Sequence, residues 1–182
     1  MRLGELIRGA RQGRYTVEEL ASLADVSSGL ISQIERGAGN PSFVTLSKLA
    51  YALELPLGAF FQGLDGEQGT ERMVVRRDKR RKLELPHEGL TYELLTPPAQ
   101  RSFVILTTTL RPGFQNQERP FVHPGQEAIH VVRGTVHIYV QEREFVLADG
   151  DTITYDSSMP HWWRNRSDEP VDVIGVVTPS HI

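Results

Sequence analysis

Apolar residues recur at helical spacing over the first third of the chain. Positions i, i+3, i+4 and i+7, which mark the buried face of an amphipathic helix, are apolar in three separate stretches. These stretches are Leu3 to Ala10, Val17 to Ala24 and Leu46 to Leu53. Leu30, Ile31 and Ile34 give the segment between the last two an apolar side as well. We therefore predict an all-α domain of five short helices over residues 1–63.

Local signals place the ends of these helices. Thr16 followed by Glu19 predicts a capping box. Asn40–Pro41 predicts a cap with proline at the first helical position, and Pro56 predicts the start of a last short helix. The tight connection 25–27 joins two of the helices, so these two are predicted to form a helix-turn-helix.

After residue 70 the pattern becomes that of β structure. Short segments rich in Val, Ile, Thr and Tyr are bounded by Gly, Pro, Asn or Asp, which predicts an antiparallel sandwich or barrel. The predicted strands include Phe103–Leu110, Glu127–Val132, Thr135–Val140, Thr152–Tyr155 and Val171–Val177. Glycines among polar residues indicate a linker over residues 64–71. The β domain then covers residues 72–182.

Composition and charge exclude several classes of protein. The 182-residue chain contains no cysteine, which excludes disulfides and cysteine nucleophiles and favours the reducing cytoplasm. Charges at Arg2 and Glu5 argue against a signal peptide, and no apolar run is long enough to cross a membrane. Basic and acidic residues balance within residues 1–64, whereas acidic residues prevail within residues 91–182. Any DNA contact is therefore expected from the helical domain.

The second helix of the predicted helix-turn-helix has a face of small and polar residues. This face consists of Ser28, Gly29, Ser32, Gln33 and Arg36. Small side chains let a helix approach the DNA major groove closely, and an amide can pair with the N6 and N7 of adenine. We predict that Gln33 reads a base and that the serines contact either base or phosphate.

The stretches Thr16 to Ser27, Ile31 to Gly37 and Asn40-Pro-Ser42 resemble the lambda-repressor-like helix-turn-helix family of bacterial regulators over residues 2–62. The family usually has Gln where this chain has Val17, and that Gln bridges a phosphate and the recognition helix. The residues predicted to bind DNA outside the face above are Ser27, Arg11, Arg14, Thr16 and Asn40, with Arg36 also contacting phosphate. The alternative is a helical bundle that only binds protein.

Two later motifs resemble the cupin family, whose fold is a small antiparallel jelly-roll barrel. They are His123-Pro-Gly-Gln-Glu127, with Gly134 after it, and Gly150-Asp151 with Pro160-His161. The resemblance implies a divalent metal site of His123, Glu127 and His161. The first histidine of the family's metal set is replaced by Phe121, so the set is incomplete and no cofactor is required. The alternative is that the three residues are hydrogen-bonded polar groups of a pocket.

Strand alternation places His161 and Trp163 on one face of their strand. Phe121 and Trp163 would then be apolar walls around a few convergent polar groups, the usual composition of a small-molecule site. The predicted effector-binding residues are Phe121, His123, Glu127, Tyr155, His161 and Trp163. The basic run Arg76–Lys82 is predicted to be a solvated sheet edge that discourages strand pairing.

The domain pair resembles the helix-turn-helix plus cupin regulators, a group that includes the putrescine-responsive repressor. The resemblance implies a bacterial transcriptional regulator without enzymatic activity, a repressor that its small-molecule effector releases from operator DNA. Two copies are expected to bind as a homodimer through the barrels. The alternatives are a metal-dependent cupin enzyme carrying a DNA-binding head, and an antitoxin-like partner protein.

Overall fold

Four α-helices form the N-terminal part of the computed structural model, which describes residues 3–61, 73–86, 88–99 and 102–178. They are α1 (Leu3–Arg11), α2 (Val17–Leu23), α3 (Ser28–Glu35) and α4 (Phe43–Ala52). The predicted count of five helices is wrong, because the segment after Pro56 forms only one 3₁₀ turn, Leu57–Phe60. The chain becomes extended at Phe61, which ends that turn. The predicted linker, residues 64–71, lies outside the described residues.

Side-chain caps start three of the helices. The capping box of α2 is confirmed, because Thr16 Oγ1 accepts from the Glu19 N–H at 3.1 Å and Glu19 accepts from the Thr16 N–H at 2.7 Å. Ser27 caps α3. The predicted Asn40–Pro41 cap is wrong. Ser42 is the cap, since its Oγ accepts the Thr45 N–H at 3.0 Å, and α4 begins at Phe43, two residues after the predicted start at Pro41.

Nine antiparallel strands follow in the described part of the chain. They are β1 (Lys82–Leu85), β2 (Leu90–Leu94), β3 (Val104–Leu110), β4 (Gln126–Arg133), β5 (Val136–Val140), β6 (Arg143–Leu147), β7 (Thr152–Asp156), β8 (His161–Arg164) and β9 (Val171–Val177). One sheet has the order β1-β2-β3-β9-β4-β7 and the other β6-β5-β8. The five segments predicted from their content of Val, Ile, Thr and Tyr agree with β3, β4, β5, β7 and β9 to within a residue at each end.

The two sheets bury their alternate residues between them. The burial patterns of β3 and β9 alternate strictly along each strand. The basic run leads into β1, which is an edge strand, and Arg80 and Lys82 both form ion pairs with Glu93 at 3.2 Å. No described helix is long and apolar enough to cross a bilayer.

A continuous apolar core joins the helices to the barrel. The clearest link is Phe43, the first residue of α4, whose ring centroid lies 4.9 Å from that of Tyr92 on β2. The helical domain therefore covers one mouth of the barrel.

Candidate functional site

Helix α3 has a buried and an exposed side. Ile31 and Ile34 are buried against the other helices. The predicted DNA-reading residues lie on the other side, with Ser27, Gly29, Gln33 and Arg36 exposed and Ser28 and Ser32 half-buried. The backbone turns sharply after the helix at Gly37, whose φ is +74°. The sequence therefore folds this segment so that its small and polar residues face outward together.

The predicted phosphate-binding residues have different surroundings. Thr16 and Asn40 are exposed. Arg14 is exposed but donates to the Leu53 carbonyl at 3.0 Å and pairs with Glu54 at 3.4 Å. Their role in phosphate binding stays a prediction.

Arg11 is held inside the helical domain. Its guanidinium donates to both carboxylate oxygens of Glu35, at 2.6 and 2.9 Å, and to the Tyr15 carbonyl at 3.1 Å. The hydrogen bonds from Arg11 lower the pKa of Glu35, whose side chain is only 5% exposed. In this structure Arg11 therefore connects α1 to the end of α3.

Helix α1 also approaches α3 through a glycine. A Cβ at Gly4 would clash with the carbonyl oxygen of Ile34. The close contact of α1 with the last turn of α3 fixes the direction in which the recognition face points.

Three predicted polar residues meet inside the barrel. Glu127 on β4 pairs with Tyr155 on β7, so both side chains lie on the same face, and the Tyr155 hydroxyl donates to Glu127 Oε2 at 3.0 Å. His161 at the start of β8 places Nε2 at 2.9 Å from the same oxygen, and His123 Nε2 lies 3.7 Å from it. The side chains of His123, Glu127 and His161 are buried, with at most 4% of each residue exposed.

The hydrogen bonding of His161 determines what Glu127 faces. His161 Nδ1 lies 2.9 Å from the Met159 carbonyl, which can only accept, so Nδ1 carries a proton. A neutral His161 ring would then point the lone pair of Nε2 at the carboxylate, and Nε2 has no hydrogen-bond partner among the described residues. Because Nε2 lies 2.9 Å from Glu127 Oε2, a proton or a metal ion between these two atoms would join them. Burial raises the pKa of Glu127, but hydrogen bonds and charges of His123 and His161 outweigh it and lower that pKa to about 2.

The cluster is suited to a divalent metal. One carboxylate oxygen and two imidazole nitrogens lie within 4.8 Å of one another, and this donor set suits first-row transition metals. His123, Glu127 and His161 would hold the ion, which would act as a Lewis acid. Phe121 supplies no ligand, and its ring packs at a tilt against that of His161, with 5.7 Å between the centroids.

The interior of the barrel is lined by aromatic residues. Four of the predicted effector residues line it, namely Phe121, His123, Glu127 and Trp163. Tyr155 and His161 are not among the lining residues, but both contact the Glu127 carboxylate. Phe43 and Tyr92 line it too, and the sequence reasoning missed both. Alternation with Leu90 and Leu94 could have placed Tyr92 inward, but no local signal shows that a helix residue enters the barrel.

A larger cleft lies at the seam between the two domains. Its volume is about 770 Å³, and both domains line it. Leu23, Lys48 and Tyr51 come from the helices, and His123, Gln126 and Asp156 come from the barrel. His123 also lines the interior of the barrel, so it lies between this cleft and the buried cluster.

Comparison with known proteins identifies both domains. Residues 7–60 match the helix-turn-helix family and residues 106–177 match the cupin domain family. The HTH-type transcriptional regulator PuuR of Escherichia coli is 26% identical over 162 residues, which cover 88% of this chain and 85% of PuuR.

Two solved structures resemble the whole chain. The HTH_3 family transcriptional regulator from Vibrio cholerae superposes with a TM-score of 0.71 at 26% identity, over 97% of this chain and 95% of that one. Hydroxypropylphosphonic acid epoxidase from S. wedmorenis superposes with a TM-score of 0.51 at 20% identity, over 96% of each chain. The second likeness shows a shared fold alone.

Proposed function

Because this chain is a transcriptional regulator with a helix-turn-helix and a cupin domain, we propose that it binds operator DNA as a dimer and responds to a small molecule in the barrel. The regulator would act in a bacterial cytoplasm as a repressor that its effector releases. The observation that carries the proposal is the division of α3 into a buried apolar side and an exposed side with Gln33 and Arg36.

DNA reading follows from that exposed side. Gln33 is exposed, and its side chain makes no hydrogen bond to another described residue, so its amide is available to a base edge. The side chains beside it are small, so the helix can enter the major groove closely. They belong to Ser28, Gly29 and Ser32. Arg36 at the end of the helix would contact a phosphate.

Dimerisation would give the affinity that one short helix cannot. Two copies would read half-sites about 34 Å apart, one turn of DNA. The barrels supply the dimer contact in this proposal, which leaves both α3 helices exposed.

The effector would bind where the barrel combines aromatic walls with buried polar groups. Glu127 and His161 Nε2 are buried there 2.9 Å apart, and a polar group of the effector would bind to them. Effector binding would change operator affinity by about 5–150-fold, the usual range of coupling between two sites.

The test is selection of genomic fragments by the purified full chain at low ionic strength, followed by footprinting. We expect a protected site with two-fold symmetry. The matched control is the double variant Gln33→Ala/Arg36→Ala, which should bind all fragments alike, without the sequence preference of the native chain. If the native chain and the control select the same fragments, DNA reading by α3 is refuted.

A metal-dependent enzyme is the second candidate, and the cluster of His123, Glu127 and His161 favours it. In that case Glu127 and the two histidines would hold the ion and Tyr155 would orient Glu127. Metal analysis of protein purified without chelator separates the candidates. Stoichiometric iron, manganese or zinc that is lost in Glu127→Gln, together with turnover of a substrate, would favour the enzyme.

A further inference from the structure

The helical domain contributes one side chain to the interior of the barrel. Phe43 is only 3% exposed, and its ring lies among the aromatic residues of the barrel mouth. Centroid distances are 4.9 Å to Tyr92, 6.0 Å to His123 and 6.4 Å to Phe121. Phe43 therefore lies within the same site as two predicted effector residues.

The backbone of the same residue is also attached to the barrel. As the first residue of α4, Phe43 has an N–H without a partner inside the helix. It donates instead to Glu88 Oε1 at 3.3 Å, in the turn between β1 and β2. A movement of the ring out of the barrel would therefore also move the start of α4.

The space behind the ring is very small. The cavity bounded by Phe43, Glu127 and Trp163 has a volume of about 10 Å³. That volume holds at most one water molecule, whereas an apolar cavity of about 150 Å³ is known to bind benzene. No organic effector enters the barrel while the Phe43 ring is inside.

We propose that Phe43 is a plug that the effector must displace, so that occupancy of the barrel and docking of α4 exclude each other. This inference rests on the proposed function and specifies how the helix-turn-helix senses the ligand. The ligand class follows from the site. It is a small molecule with an apolar part about the size of a phenyl ring, which replaces the ring against Tyr92 and Phe121, and a polar group that reaches Glu127 or His161.

Displacement would be communicated to the DNA-binding surface through α4. Helices α2 and α3 pack with α4 in one core that continues into the barrel, so release of the first turn of α4 would shift the helical domain on the barrel without detaching it. Such a ligand binds only those molecules in which the plug is out. Its apparent Kd is therefore the intrinsic Kd divided by the fraction of molecules in that state. Removal of the ring therefore strengthens binding and loosens docking at the same time.

The docking half of the proposal can be measured in the full-length chain. Because the chain has no cysteine, Ser22→Cys on α2 and Glu142→Cys between β5 and β6 give two unique sites for spin labels. Both positions are exposed. We expect one narrow distance distribution in the labelled native chain and a broader one in Phe43→Ala. The matched control Val44→Ala, one residue along the same helix, should keep the narrow distribution.

The ligand half is measured with benzene as the probe and Trp163 fluorescence as the readout, in a Trp162→Phe background. We expect benzene to bind Phe43→Ala at least tenfold more tightly than the native chain. Saturating benzene should also broaden the distance distribution of the native chain. Phe43→Leu, which keeps a smaller apolar plug, should be intermediate and replaces Phe43→Ala if that variant does not fold.

An unchanged distance distribution and unchanged benzene affinity in Phe43→Ala or Phe43→Leu would overturn the proposal. These readouts contain no DNA. Failure to bind genomic fragments would therefore refute the proposed function, whereas failure of these two measurements would refute only the plug.

Discussion

The guanidinium of Arg11 donates two hydrogen bonds to the carboxylate of Glu35, at 2.6 and 2.9 Å, and so fastens α1 to the last turn of the recognition helix. The side chains are 13% and 5% exposed. The pair lies next to the point where Gly4 touches the backbone of Ile34. The orientation of α3 thus depends on α1 as well as on the turn that precedes α3.

Loss of that pair should lower stability. We expect Arg11→Ala to reduce the free energy of unfolding by about 2–3 kcal/mol, somewhat less than the loss for a fully buried pair, because the buried Glu35 carboxylate then keeps only its longer ion pair with Arg8, at 3.5 Å. Urea unfolding measures the change. Arg14→Ala is the control, since its pair with Glu54 is exposed, and it should cost at most about 1 kcal/mol. Equal losses would contradict a structural role for Arg11.

Arg36 should act on DNA and not on stability. Its side chain is exposed at the end of α3, so we expect Arg36→Ala to reduce the slope of log affinity against log salt by about one per subunit. Fluorescence anisotropy over a salt series measures that slope. Arg166→Ala, an exposed arginine of the barrel, should leave it unchanged. The prediction is wrong if both variants alter the slope alike.

Gln33 should determine sequence preference. Gln33→Ala should lose about 1–3 kcal/mol at one base pair of each half-site, while binding to random DNA stays the same. Competition between single-base operator variants gives the preference at each position. Gln117→Ala, an exposed glutamine in the β domain, serves as the control. Equal weakening on operator and random DNA would remove Gln33 from the base-reading residues.

Two glycines of α1 should respond oppositely to the same substitution. At Gly9 an added Cβ meets no atom within 4 Å, so Gly9→Ala should stabilise the helix by about 0.5–1 kcal/mol. Gly4→Ala should destabilise the protein by about 1–3 kcal/mol through overpacking against Ile34. Thermal unfolding of the two variants compares them directly, and a stabilised Gly4→Ala would show that α1 can move away from α3 easily.

The buried carboxylate of Glu127 should control stability in acid. Its pKa is lowered from 4.5 to about 2, so its contribution is fully present above pH 4.5 and is lost as the pH falls toward 2. One such group gives a slope of at most about 1.4 kcal/mol per pH unit. Glu127→Gln should remove that slope in urea unfolding between pH 5 and pH 2. A slope as steep as that of the native chain would mean that other carboxyl groups cause it.

The sequence predicted those features that depend on neighbouring residues. The capping box of Thr16 and Glu19, the outward face of α3 and the bounds of five strands are local, and the structure agrees with each. The convergence of His123, Glu127 and His161 followed from a resemblance and is also present.

Contacts between distant residues were not predictable in this way. Arg11 looked like a free cation because Glu35, its partner, is 24 residues away along the chain. Nothing near Phe43 shows that its ring leaves the helical core and packs on Tyr92. The pattern after Pro56 predicted a fifth helix, but the segment ends after the single 3₁₀ turn Leu57–Phe60. Local helix propensity does not show where such a segment ends.

The placement of Phe43 makes the two halves of this chain hard to exchange. A chimera that joined this barrel to the DNA-binding half of another regulator would lack the ring that closes the mouth, unless the donor carried an aromatic residue at the start of its fourth helix. Engineers who graft new operator specificities onto this sensor should therefore replace α3 alone and leave the fourth helix in place.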